Sequence, residues 1–360
     1  MQLFTIIKAP LFVLVAGALL TSCKAGYEKQ AATTYTATKA KPAAFSGGTT
    51  VDVSPGSQTT LTWTVGNVRI TRILERAASG LLSERLKAVD GEISPEAIAA
   101  HREWLAPHFL DENDAFMLSQ QSFLIESMDK KIIVDTSAGE SPPAYLQGFS
   151  QLTDSYLDDL AAAGFPPDSV DVVIATHLHA DHVGWNTIKP EGRWLPTFEN
   201  ARYIMSRRDY ESLLTEPLHL FYANFSEAVA PVVSAGLAEL IEGRYRVTEE
   251  VWLEPTPGHT PGHMSVWVES AGERALLTGD ASHHPVQWAE PDWAIIGEDD
   301  PEMSSRTRRR LLEEYAARPF LIIGGHYQTP TAGYLEFSGQ DTRFVPLLPN
   351  APAITAEPRE

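Results

Sequence analysis

The sequence predicts a layered α/β fold, because strand-like and helical runs alternate along most of the chain. Apolar residues make up 43% of the 360 residues, enough to bury a large core. Nothing typical of a linker interrupts residues 61–347, so we expect one domain over that range. Alternating strands and helices favour sheets that are covered by helices.

The first 22 residues are typical of an export signal. Lys8 precedes the apolar run "APLFVLVAGALL", which is short for a membrane span. The next residues, "LLTSC", resemble the lipobox of bacterial lipoproteins, and Cys23 is the only cysteine of the chain. A lone cysteine favours lipidation over a disulfide, the alternative being a plain signal peptide. We therefore expect an exported lipoprotein, periplasmic or at the cell surface, that the lipid on Cys23 anchors to a bacterial membrane.

Composition marks both ends of the predicted domain. Residues 23–60 are rich in Ala, Thr, Ser, Gly and Pro, which predicts a flexible tether, with order beginning near Leu61. Residues 348–360 predict a disordered tail.

The elements between these ends follow from local patterns. "VGNVRITRILE" has strand-like content, and "FLIES" and "KIIVDT" around "MDK" predict a β-hairpin. "SQLTDSYLDDLAAAG" has helical spacing and ends at Gly164. "DVVIAT" predicts a short buried strand.

The charge of the chain limits its partners. The net charge is −19 and the pI is about 5.0. Nucleic-acid binding needs a basic surface, so we expect no nucleic-acid partner. An acidic protein suits a cationic metal centre and small neutral substrates.

The stretch "ATHLHADHVGW" carries four metal-capable side chains in six positions. In an extended loop His177 and His179 point the same way and can bind one cation. Asp181 and His182 diverge from that pair and can face a second cation. The alternative is a polar surface loop.

Three downstream segments weaken that alternative. "VWLEPTPGH", "RALLTGD" and "FLIIGGH" are strand-like runs that end at His259, Asp280 and His326. Loops at strand ends hold ligands in fixed geometry. Imidazole and carboxylate donors suit zinc best, and also cobalt, manganese or iron. Six or seven such donors predict two divalent metal ions in a catalytic centre.

With these motifs, the chain resembles the metallo-β-lactamase fold hydrolases. "THLHADH", "TPGHTPGH", "LLTGD" and "IIGGH" carry the resemblance, which covers roughly residues 65–347. It implies a four-layered αββα sandwich with the site at one edge. It also implies a first metal on His177, His179 and His259, and a second on Asp181, His182 and His326. Asp280 would bridge both.

The same resemblance implies the chemistry. Two metals that share a hydroxide lower its pKa, and that hydroxide attacks a carbonyl carbon or a phosphorus. Asp181 would ligate and orient this nucleophile. The resemblance to quorum-quenching lactonases makes lactones the first expected substrates. The resemblance to methyl parathion hydrolases makes phosphotriesters the alternative.

Other classes fit less well. The β-lactamases with this site lack an aspartate at the position of Asp280. A di-iron redox enzyme of the same fold remains an alternative. A homodimer is also possible. A non-enzymatic scaffold is disfavoured because all seven predicted ligands are present. Many acyl-homoserine lactonases have a tyrosine where this chain has His283. We expect His283 to act in catalysis, as a hydrogen-bond or proton donor to the leaving group, or else to contact a metal or form a pocket wall.

Several other side chains near these motifs have less direct roles. His263 and Asp135 are expected to support the site rather than to bind metal. "RTRRRLL", residues 306–312, is expected to be a solvated helix face. Aromatic residues are expected to wall a pocket for an apolar substrate: Trp185, Trp194, Tyr222, Phe225, Trp288 and Trp293.

Overall fold

The computed structural model describes most of the chain after residue 50. The described residues are 51–53, 60–79, 86–140, 142–143, 146, 149–151, 155–215, 225–295, 297–339 and 341–348. The predicted signal peptide, Cys23, Tyr222, most of the tether and nearly all of the tail lie outside them. Within these ranges, none of the helices has the length and apolar content needed to cross a membrane.

The first sheet is mixed and has nine strands among the described residues. Its strands, numbered in chain order, are β1 (Val51–Val53), β2 (Thr60–Val65), β3 (Val68–Ser79), β5 (Met117–Ser127), β6 (Lys130–Val134), β7 (Ser150–Gln151), β8 (Val172–Ile174), β11 (Arg202–Ser206) and β12 (Ala238–Ile241). The order is β1-β2-β3-β5-β6-β8-β11-β12, with β7 paired to β3. The pairs from β6 to β12 are parallel and the others antiparallel.

The second sheet has seven strands in the described part of the chain. They are β13 (Tyr245–Arg246), β14 (Val251–Pro255), β15 (Met264–Ser270), β16 (Glu273–Leu277), β18 (Leu321–Ile323), β19 (Ala332–Ser338) and β20 (Asp341–Pro346). They lie in chain order, and β16 and β18 form the parallel pair. Two short ladders join β9 (Thr187–Ile188) to β10 (Leu195–Pro196) and β4 (Leu86–Ala88) to β17 (Trp293–Ile295).

Helices cover the outer faces of both sheets. They are α1 (Pro95–Ala99), α2 (Arg102–Leu105), α3 (Tyr156–Ala162), α4 (Ala180–Val183), α5 (Arg207–Thr215), α6 (Ala230–Ser234), α7 (Val286–Ala289) and α8 (Pro301–Ala317). One apolar cluster joins strands of both sheets, a second joins the first sheet to α3, α5 and α6, and a third joins the second sheet to α2, α7 and α8. The fold is the predicted αββα sandwich.

The local predictions have mixed outcomes. The hairpin is confirmed, because β5 pairs with β6 around Met128 and Asp129. The helix near residue 156 is shorter than expected: Ser155 caps it, and Ser150–Gln151 is a strand. Val51–Val53, within the predicted tether, pair with β2.

Four strands end where the predicted donors begin. His177 and His179 follow β8, while His259, Asp280 and His326 follow β14, β16 and β18. In the second sheet β14, β16 and β18 run in the same direction, so their carboxyl ends share one edge. The backbone N–H of Met264 donates to the carbonyl of Thr176 at 2.8 Å, which ties the first sheet to this edge.

Gly184 allows the loop after α4 to lie against the loop after β6. A Cβ at Gly184 would lie 2.1 Å from the carbonyl carbon of Ala138. That carbonyl cannot retreat easily, because the Ala138 N–H donates to the buried Glu75 carboxylate at 2.9 Å. We expect Gly184→Ala to lower the free energy of unfolding by about 3 kcal/mol and to displace His182.

Thermal or chemical unfolding and metal analysis check this prediction. The control is Gly164→Ala, because Gly164 has φ +89° and no neighbour within 4 Å of an added Cβ. It should cost only the backbone strain, about 1–2 kcal/mol, and leave metal binding intact. Equal effects of the two variants would contradict the clash.

Candidate metal centre

The structure brings the seven predicted donors together. In each of two groups, the donor atoms lie within 4.8 Å of one another. The first group is His177, His179 and His259, and the second is Asp181, His182 and His326. Within the first group, Nε2 of His259 lies 2.9 Å from Nδ1 of His179. Within the second, Nε2 of His182 lies 3.2 Å from Nε2 of His326.

Asp280 lies between the two groups. Its Oδ2 is 3.2 Å from Nε2 of His259 and 3.4 Å from Nε2 of His182, and its Oδ1 is 3.2 Å from Nε2 of His326. Burial alone would raise the pKa of the Asp280 carboxyl, but attraction to His182 and His326 holds it well below its usual range. A single ionised carboxylate therefore faces both donor groups.

The electrostatics of the site suit cations. Burial lowers the pKa values of His177 and His259 well below the ordinary range, so both rings are neutral ligands at neutral pH. Burial also opposes charge on His182, yet Asp280 and Asp135 raise its pKa. The negative field that favours a proton there favours a metal cation equally. Nε2 of His177 is buried without a hydrogen-bond partner among the described residues, as expected of a ligand atom. This donor set fits divalent metal ions.

Asp135 fixes the orientation of two of these rings through their Nδ1 atoms. Nδ1 of His182 donates to Asp135 Oδ2 at 2.8 Å. The hydroxyl of Thr176 also donates to that oxygen at 2.8 Å and lies 3.1 Å from Nδ1 of His177. Protons on both Nδ1 atoms leave both Nε2 atoms free to bind metal. The structure thus agrees with the supporting role predicted for Asp135.

His263 supports the site in the same way. Its Nε2 accepts from the backbone N–H of Asp280 at 2.8 Å, and its Nδ1 lies 2.8 Å from the hydroxyl of Thr256. Burial lowers the pKa of His263 to about 3, so the ring stays neutral. With both nitrogens engaged, it is no metal ligand, as predicted.

The run "SQQS" in β5 is a functional feature that the sequence reasoning missed. Ser119 exchanges two hydrogen bonds with His326: His326 Nδ1 donates to its carbonyl at 2.8 Å, and its N–H donates to the His326 carbonyl at 2.9 Å. Gln121 Nε2 donates to the Gly324 carbonyl at 2.9 Å. Gln120 Nε2 lies 3.4 Å from Asp181 Oδ2. Four polar residues inside a buried strand were the available signal.

His283 also faces the centre. Its Nε2 lies 3.1 Å from Asp280 Oδ2, and its ring is only 4.7 Å from that of His259. The backbone N–H of His283 donates to Gln287 Oε1 at 2.7 Å, which fixes the chain at this point. The neighbouring His284 points away, with Nε2 2.9 Å from the Phe109 carbonyl.

The prediction for residues 306–312 is partly wrong. Arg306 is exposed, but Arg308 has no exposed surface and pairs with Glu298 at 3.3 Å. The helical period turns this one arginine inward, where Glu298 supplies a compensating charge. Glu298 lies 4.0 Å from Nδ1 of His283 and was also missed from the sequence.

Two of the predicted pocket walls have polar and aromatic partners within the fold. Trp185 stacks on Tyr156 and donates to Glu75 at 2.8 Å. Trp288 is buried and donates to the Tyr327 hydroxyl at 2.6 Å. Trp288 is buried and Trp185 is partly buried, and these polar partners fix the orientation of both rings.

Comparison with known proteins agrees with this geometry. The sequence of residues 116–326 matches the family model of the metallo-β-lactamase superfamily. The N-acyl homoserine lactonase AiiA of Bacillus thuringiensis subsp. kurstaki is 30% identical over 217 residues, 57% of this chain and 79% of that protein.

Solved structures show the same fold. The hydrolase AbOPH of the β-lactamase superfamily superposes with a TM-score of 0.66 at 24% identity, covering 81% of this chain and 98% of that one. An N-acyl homoserine lactone hydrolase, with N-hexanoyl-L-homoserine at its catalytic metal centre, has a TM-score of 0.51 at 26% identity and covers 73% and 94%. The chain belongs to the metallo-β-lactamase superfamily and is a metal-dependent hydrolase.

Proposed function

We propose that this chain is a dinuclear hydrolase of small apolar esters, with lactones as its first substrate class. The observation that carries the proposal is Asp280, one carboxylate within 3.4 Å of nitrogens from both donor groups. A carboxylate in that position suits a bridge between two cations. His177, His179 and His259 would hold the first, and Asp181, His182 and His326 the second.

The protein's own side chains would orient the reaction. When bound, the two cations supply an activated water and Lewis acidity toward the substrate oxygen. The side chain of Asp181 is 14% exposed against 3% for Asp280, so Asp181 is the carboxylate that reaches an attacking water. Nε2 of His283 lies 3.1 Å from Asp280 Oδ2, beside the same centre. It takes the proton of the water and returns it to the leaving alkoxide as the ring C–O bond breaks.

The lactone class rests on the relatives. The N-acyl homoserine lactonase AiiA aligns over more than half of this chain, and a related structure holds a ring-opened homoserine product at its metal centre. A panel of acyl-homoserine lactones, other lactones, paraoxon-type triesters and a β-lactam tests this class. A highest kcat/KM on lactones supports it. Preference for triesters would replace it with phosphotriester hydrolysis.

Zinc is the proposed metal, at two ions per chain. Metal analysis of the purified protein and reconstitution with zinc, manganese or cobalt test this assignment. Iron-rich protein without ester hydrolysis would instead support di-iron redox chemistry.

His283 gives a direct test of the proposed proton transfer. We expect His283→Ala to lower kcat on lactones by about a hundredfold with two metals still bound, because general acid–base catalysis contributes about 10²–10⁴-fold. His108→Ala is the control, since His108 is not among the residues of this centre. Steady-state kinetics and metal analysis measure both. An unchanged kcat in His283→Ala would leave His283 as a pocket wall.

We also propose that the mature chain is exported and held on a membrane by lipid on Cys23. The support is the sequence "LLTSC" after an apolar run. Cys23→Ser should release the protein from the membrane fraction. A variant that stays with the membrane would contradict lipid anchoring.

A further inference from the structure

Three buried polar atoms beside the metal centre lack a hydrogen-bond partner among the described residues. They are Nδ1 of His259, Nδ1 of His283 and Oε2 of Glu298. One nitrogen of each ring and one carboxylate oxygen of Glu298 lie within 4.8 Å of one another. Two imidazole N–H groups and one carboxylate are complementary, since the first donate and the second accepts.

We propose that Glu298 is a positioning residue, which accepts the Nδ1 protons of His259 and His283 and so turns both Nε2 atoms toward the metals and substrate. This inference rests on the proposed dinuclear function. The opposite atoms already have that orientation, with Nε2 of His259 3.2 Å and Nε2 of His283 3.1 Å from Asp280 Oδ2. A carboxylate behind a ligand histidine fixes its tautomer and ring plane.

The backbone holds Glu298 beside His259. The N–H of Asp299 donates to the His259 carbonyl at 3.1 Å, and the N–H of Asp300 donates to the Gly258 carbonyl at 2.9 Å. Asp300 also caps α8, because its side chain accepts from the N–H of Met303 at 2.8 Å. The segment that carries Glu298 therefore lies at a fixed distance from the His259 loop.

Arg308 supplies the charge that keeps a carboxylate in this place. Both side chains of the Arg308–Glu298 pair are fully buried, and their contact is 3.3 Å long. Arg308 also donates to the carbonyls of Pro291 at 2.9 Å and Ala281 at 3.3 Å. A buried ion pair is a weak source of stability, and apolar side chains of similar volume often replace one without loss. The pair lies beside His259 and His283, and orienting these two histidines would explain why a buried ion pair is there.

The arrangement resembles that of Asp135 on the other side of the centre. Asp135 accepts directly from His182 and, through Thr176, serves His177. Glu298 would serve His259 and His283. The site would then have two buried carboxylates, each of which sets the orientation of two imidazoles.

The test compares wild-type protein with Glu298→Gln in the zinc-loaded full chain. Chelator competition should show about 10–100-fold weaker metal binding in the variant, and kcat should fall by a similar factor with little change in KM. In cobalt-substituted protein, proton NMR resolves the solvent-exchangeable N–H signals of ligand histidines. We expect Glu298→Gln to remove or broaden one of them, a change that a purely structural role would not cause.

Two further variants separate positioning from stability. Glu314→Gln removes the carboxylate charge from the 2.9 Å contact of Arg274 with Glu314, a different ion pair on α8, and should leave metal binding and kcat unchanged. Glu298→Gln combined with Arg308→Met removes the unpaired buried charge. The double variant should regain the stability that Glu298→Gln alone loses, while its metal affinity and kcat stay low.

The outcomes are distinct. A double variant that recovers metal affinity and kcat would overturn the positioning role, as would a Glu298→Gln protein with wild-type metal affinity, kcat and NMR signals. A wild-type chain that binds no divalent metal and hydrolyses no ester would overturn the proposed function and this inference with it.

Discussion

Asp280→Ala is expected to lower kcat/KM by about three orders of magnitude or more and to reduce bound metal to one ion per chain or fewer. The reason is the position of this carboxylate, within 3.4 Å of nitrogens from both donor groups. Without it, the two groups lose the carboxylate that lies between them, and their buried imidazoles lose a negative charge that favours cations. Metal analysis and steady-state kinetics on the preferred ester measure the effect.

Asp171→Ala is a suitable control for the loss of an aspartate. Asp171 lies just before β8, whereas His177 follows the other end of that strand. Asp171 pairs with Lys130 at 3.1 Å. Its loss should leave metal content and kcat/KM unchanged. An Asp280→Ala protein that retained two metals and wild-type turnover would refute the bridging assignment.

Asp135→Ala is expected to have the second largest effect, on both folding and metal binding. The substitution leaves Nδ1 of His182 and the hydroxyl and N–H of Thr176 buried without their acceptor. We expect the free energy of unfolding to fall by about 3–5 kcal/mol, as when one partner of a buried pair is removed. Metal affinity should fall about 10–100-fold. Chemical denaturation and chelator competition measure the two effects separately.

Asp135→Asn shows how much of that effect is charge. Asp135 has φ +56°, a backbone conformation that asparagine adopts more readily than most residues. The amide oxygen can still accept from His182, but the amide NH2 then faces the Thr176 N–H, so only part of the stability should remain while metal affinity drops. An alanine variant with wild-type metal affinity would show that Asp135 does not position the ligands.

Much of the site could be predicted because its donors follow recognisable strands. "DVVIAT" directly precedes His177, and "RALLTGD" and "FLIIGGH" end at Asp280 and His326. The structure places these three side chains together. The hairpin near Met128 was predictable for a similar reason, since alternation and turn residues are local signals. The strand at Val51–Val53 was not, because its ladder partner is β2 and its own composition is that of a linker.

The supporting residues could not be identified from local pattern. Gln121 donates to the carbonyl of Gly324, 203 positions away in the chain, and nothing near either residue marks that contact. Arg308 sits between exposed arginines, so its composition suggested a solvated surface. Arg308 is buried because α8 turns this side chain inward and because Glu298 lies on a neighbouring segment.

The sequence by itself determined the chemistry of this protein: seven imidazole and carboxylate donors, most of them just after strands, in an acidic chain with an α/β core. The tertiary structure alone decided how those donors are oriented. Asp135 lies 47 positions in the chain from the ring of His182, and Ser119 lies 207 positions from the ring of His326. Ligand type is a property of a single side chain, whereas ring orientation depends on hydrogen bonds between segments that only folding brings together.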